Sequence, residues 1–132
     1  MARLVTVAGS MRVVDDEDIF ANETGTLLFN ESTEIDEDQP EDLLHFEKRV
    51  GGEVRVELDA RPQLLHDDRV RFHVTAVLFE GNSEDTNDED GRQEFHFVVR
   101  PGRTRRIGFR LLNEDEGGDF ADISFTCSNA RA

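Results

Sequence analysis

The residue types most able to do chemistry in this chain are oxygen donors set close together. Asp85, Asn87, Asp88 and Asp90 fall within EDTNDEDG, and Asp115 and Asp119 flank a glycine pair in NEDEGGD. Carboxylate and amide oxygens at such spacing suit calcium, a hard cation that takes six to eight oxygen ligands from flexible loops. Gly91 lets the chain turn behind the first group. Gly117 and Gly118 allow the backbone to fold around an ion, and they read equally as an ordinary hairpin turn. An EF-hand is excluded: Asp85, Asn87 and Glu89 supply its first three ligand positions, but the sixth is Asp90 rather than glycine and the twelfth is His96.

Nitrogen and sulfur donors are few. His73 and His96 fall on the outward parity of their strands, where two imidazoles facing each other across a hairpin would bind zinc together with a carboxylate. Nothing in the sequence fixes that third ligand, and surface histidines without a metal are the simpler reading. Cys127 is the only cysteine, which excludes an intramolecular disulfide or a cysteine cluster. It continues the alternation of Ala121, Ile123 and Phe125, so it is expected as a buried, inert thiol. Ser10 in AGSM lacks the G-x-S-x-G frame of a nucleophile elbow. The chain has no Trp or Tyr to stack on sugar rings and no glycine-rich phosphate loop. No catalytic residue set is assigned, and the expectation is a protein that is not an enzyme.

The formal charge of −15 comes from thirty acids against fifteen bases, all but Lys48 being arginine. Phosphates need clustered cations, so nucleic acid and an anionic membrane are disfavoured as direct partners, and no run approaches the about eighteen apolar residues that direct membrane insertion needs. Sixteen of the thirty acids lie in three runs, 31–42, 84–90 and 114–119. Such runs repel themselves unless cations or solvent hold them, and a merely solvated, halophile-like acidic surface is the competing explanation. MARLVTVAGS has no long apolar stretch, so the chain as it stands reads as cytoplasmic, or as secreted with a leader removed.

The elements that must position these groups show period-2 alternation nearly throughout, and 132 residues suit one domain, 1–132. Seven strands are expected near residues 3–14, 26–31, 50–58, 70–78, 95–99, 107–111 and 121–127, with a helical turn at Leu43, Leu44 and Phe46. The result is an all-β, single antiparallel β-sandwich of immunoglobulin-like or C2-like size, with a small β-barrel as the alternative. With seven alternating directions, all three acidic runs fall at one end. Asp15–Asp18, the Asp59–Asp68 loop and the basic turn RPGRTRR then fall at the other.

Three functions follow from this reading. The first is a non-enzymatic binding module whose acidic loop end takes calcium, resembling in architecture alone the multi-loop site at the tip of C2 domains. Its partner is expected to be a protein, either a basic one or a second copy. The second is a structural assembly subunit using sheet edges, and the third is a small hydrolase using loop carboxylates.

Overall fold

The computed structural model describes residues 1–16, 21–115 and 117–132. The expected acids at 17, 18 and 116 therefore lie outside the described residues. Two four-stranded antiparallel sheets face each other, in the order β2-β1-β8-β7 and β3-β4-β5-β6. The strands are β1 (Arg3–Asp15), β2 (Glu23–Ile35), β3 (Leu44–Val50), β4 (Val54–Leu64), β5 (Val70–Glu80), β6 (Glu89–Val99), β7 (Thr104–Leu112) and β8 (Phe120–Arg131). This is the β-sandwich that the alternation predicts, with eight strands rather than seven.

The core lies where the inward rows meet. Val5, Val7, Met11 and Val13 from β1 and Ile123, Phe125 and Cys127 from β8 pack against Val56 and Leu58 of β4 and Phe72, Val74 and Leu78 of β5. Each fully buried aliphatic or aromatic side chain contributes about 1.5–3 kcal/mol of transfer free energy. Cys127 is buried as expected, and burial pushes its thiol up to about 12, which leaves it protonated and inert. The open edges meet across the sandwich. Phe29 of β2 stacks on Phe46 of β3 at 4.3 Å, and Phe95 of β6 meets Phe109 of β7 at 4.8 Å.

The extra strand overturns two expectations. Leu44 and Phe46 do not form a helical turn; they are inward residues of β3, paired with Ala60 and Leu58. Nor is 50–58 one strand. Val50 closes β3, Gly51 and Gly52 turn at φ 69° and 75°, and Val54 opens β4 opposite Val50. Left-handed φ at two successive residues favours glycine and makes this a tight hairpin. One added reversal changes every later direction. The runs at 84–90 and 114–119 therefore share an end with Asp15 and Asp16, where the Asp16 N–H donates to Asp119 Oδ1 at 2.8 Å. The run at 31–42 lies at the opposite end: its first part belongs to β2, and Pro40 O accepts from Leu64 N at the far end of β4. Three acidic runs do not converge; two do, with the start of a fourth acidic stretch.

Candidate functional site

The inward rows end differently at the two ends of the sandwich. At one end the β8 row closes with Asn129, which accepts from Arg3 Nε at 2.8 Å and donates to the carbonyls of Asp68 (2.8 Å) and Val99 (3.0 Å). Arg3 and Asn129 are both buried, so this end is sealed by a satisfied polar plug. At the other end three inward rows close with acids. Val13 is followed on its parity by Asp15, Leu78 by Glu80, and Ala121 is preceded by Asp119. Asp15 and Asp119 are only 2% exposed.

Glu80 and Asp119 are drawn together by specific backbone features, while the Asp15 carboxylate lies beside Gly51 and Glu23. The β5–β6 register shifts between Leu78, opposite Gly91, and Phe79, opposite Glu89, which leaves Asp90 as the extra residue of a bulge. Bulges re-aim side chains, and here one adds Asp90 to the cluster. The Asp90 carbonyl accepts from Glu114 N at 2.7 Å, tying the two acidic runs to each other. Gly91 permits that approach, since a Cβ there would lie 2.2 Å from the Leu112 carbonyl oxygen. Asn113 Nδ2 donates to Glu80 Oε2 and, at 3.4 Å, to Asp119 Oδ2, bridging the two carboxyls. A surface hollow of about 320 Å³ opens beside them, lined in part by Asp90, Gly91, Glu114 and Asp115.

Crowding shows in the acidities. Burial, then the hydrogen bond and charge of Asp119, push Glu80 up to about 8, with Asp90 adding to the effect. Asp90 is also raised, first by burial and then by the charges of Asp88, Asp115 and Asp119. Glu80 thus keeps a proton near neutral pH.

The six residues expected to bind calcium divide between two situations. Asp90 and Asp119 belong to the cluster, and the charges of Asp88 and Asp115 reach it although both side chains are exposed. Asp85 does not join. Its carboxylate is paired with Arg49 Nη1 at 2.5 Å, which holds it below the usual range. Asn87 is exposed on the same loop. Glu80 was missed by reading the acidic runs, because it stands alone in LFEGNS. Its signal is parity: it continues the inward row Val74, Ala76, Leu78.

A second polar region covers the outer face of β3–β6. His45, Asp59, Thr75 and Glu94 form one cross-strand row, and Arg61, His73 and His96 form the next. His45 Nδ1 bonds Asp59, and its Nε2 lies 3.5 Å from Glu57 and 3.6 Å from Glu47. Burial pulls the His45 pKa down, but the Asp59 hydrogen bond and the surrounding carboxylates outweigh it, and the net shift is upward. Among the described residues, two sets of three ligand atoms lie within 4.8 Å of one another: His73, Glu94 and His96, and His45, Glu47 and Glu57. Val77 and Phe79, also on this face, are shielded; the Arg55 guanidinium sits 4.3 Å over the Phe79 ring.

Comparison with protein-family models, with curated proteins and with solved structures gave no match.

Proposed function

We propose that this chain is a non-catalytic β-sandwich binding module whose carboxylate-closed end takes a hard divalent cation, calcium by ligand chemistry. One observation carries the reading. Three core-facing rows end in Asp15, Glu80 and Asp119 at the same end, whereas the other end is plugged by Arg3 and Asn129. Burial, then Asp119 together with Asp90, disfavours the charged form of Glu80, and Glu80 takes a proton. A cation relieves the repulsion better.

Calcium would displace the proton held by Glu80 and compete with the Asn113 amide for the Glu80 and Asp119 oxygens. Asp90 on its bulge adds a further carboxylate, and loop carbonyls complete the oxygen set that calcium accepts. Loading also neutralises part of an acidic end, which changes how that end meets a basic protein partner. The wider hollow and the exposed Asp88 and Asp115 leave this end accessible.

The test is thermal unfolding with calcium, magnesium and potassium chloride at matched ionic strength. An ion bound by the folded state alone raises the melting temperature by mass action. Calcium should raise it most, and Glu80→Gln with Asp119→Asn should remove the increment. Asp85→Asn should leave it unchanged, because Arg49 already holds that carboxylate. Equal effects of all three salts would leave only a screened, solvated surface.

A further inference from the structure

We propose that His73, His96 and Glu94 form an open site for a borderline divalent transition metal, zinc by ligand type, on the outer face of the β3–β6 sheet. The inference is independent of the acidic end, because it rests on other residues, another face and nitrogen rather than oxygen donors.

The backbone does the placing. His73 of β5 and His96 of β6 are direct cross-strand partners, so their Cβ atoms lie about 4.5–5.5 Å apart on one face. Their rings stack with centroids 4.1 Å apart and 16° between planes. Glu94 precedes His96 by two residues and so shares its face, and its Oε2 lies 3.6 Å from His73 Nε2. One ligand atom from each of the three falls within 4.8 Å of the others. Tetrahedral zinc, with ligand bonds of about 2.0–2.1 Å, holds its donors about 3.3 Å apart and lies near each ring's plane, so binding unstacks the two imidazoles and turns their nitrogens toward a common point.

Outer contacts favour this set over the other one. Glu94 Oε1 accepts from Arg92 Nη1 at 3.0 Å, which orients the carboxylate while leaving Oε2 toward the imidazoles. The second set offers one imidazole instead of two, and His45 already bonds Asp59 through Nδ1, whereas the carboxylates of both sets have arginine partners alike. Half-exposed His73 and Glu94 give a metal ready access. Three protein ligands leave a tetrahedral ion one open position. Beside it lies a hollow of about 240 Å³ lined by Glu41, Arg61, Gln63 and Arg71 as well as the two histidines. Those guanidinium groups suit an anionic fourth ligand, a carboxylate or phosphate oxygen.

Calorimetric titration of the full chain with Zn2+ tests the proposal, together with Co2+ absorption, whose intensity reports tetrahedral coordination. The expected result is one equivalent bound by the wild type. His96→Ala and His73→Ala should each weaken binding by more than the about 10–100-fold that loss of an outer contact brings, and Arg92→Ala should fall within that range. His45→Ala and the Glu80→Gln, Asp119→Asn pair should bind as the wild type does. Both histidines are on the outer face, so unchanged urea midpoints in the absence of metal will show that the variants fold. No zinc binding by the wild type, or an affinity unaltered by either His73→Ala or His96→Ala, would overturn the proposal.

Discussion

Glu80→Gln should make the protein more stable above neutral pH and leave it nearly unchanged in mild acid. In the folded chain Glu80 faces Asp119, Asn113 and Asp90, and its pKa stands at about 8 instead of the ordinary 4.5. Between those two values the folded chain keeps a proton that the unfolded chain has released. Stability therefore falls as pH rises through this window and levels off above pH 8. At about 1.4 kcal/mol per pKa unit the upper limit is ~5 kcal/mol. Glu80 is partly open to water, so about 2 kcal/mol is the expected loss. Glutamine keeps the shape and neutrality of the protonated acid, and removes the slope. Asp90 and His45 are also raised, and they contribute slopes of the same sign. Both remain in the variant, so the difference between the two proteins isolates Glu80. Urea unfolding from pH 5 to pH 9 is the assay. The variant should match the wild type near pH 5 and exceed it by about 2 kcal/mol at pH 9. Parallel pH profiles would refute a proton held on Glu80.

Three further outcomes follow from packing and pairing. Gly91→Ala should cost about 1–3 kcal/mol or more by urea denaturation, because its Cβ would meet the Leu112 carbonyl at 2.2 Å and force β6 from β7. Phe72→Ala, at a side chain with no exposed surface, should cost about 3–5 kcal/mol with the denaturant slope unchanged. Arg110→Ala should cost less than about 1 kcal/mol in the same assay, although Arg110 Nε and Nη2 bond Asp122 at 2.7 and 3.0 Å, because that pair faces water.

The sandwich was legible because alternation alone fixes which face of a strand is buried. Val70, Phe72, Val74, Ala76 and Leu78 are buried on the parity expected of them, and His73 and His96 face each other for the same reason. Chain direction was not legible in this way. Val50, Gly52 and Val54 keep one parity straight through the Gly51-Gly52 turn, so two strands read as one. Leu43-Leu44-x-Phe46 has an apolar pair that a helical turn would also show, which hid β3. A single missed reversal, after Val50, then sent the runs at 84–90 and 114–119 to the wrong end and separated Asp15 from Asp119. Asp85 looked like a ligand because sequence spacing does not show that Arg49, thirty-six residues earlier, reaches it. Glu80 carried a usable signal, an acid on an inward row, but it lay outside the acidic runs.

Calcium titration by calorimetry in two buffers of different ionisation enthalpy, at pH 7 in moderate potassium chloride, tests the central claim most directly. A cation that replaces the proton held by Glu80 must release it to the buffer. The predicted result is saturable binding whose heat depends on the buffer, corresponding to about one proton per ion, and whose proton release disappears in Glu80→Gln. Absence of binding, or calcium binding with no proton released and no change in Glu80→Gln, would contradict the account.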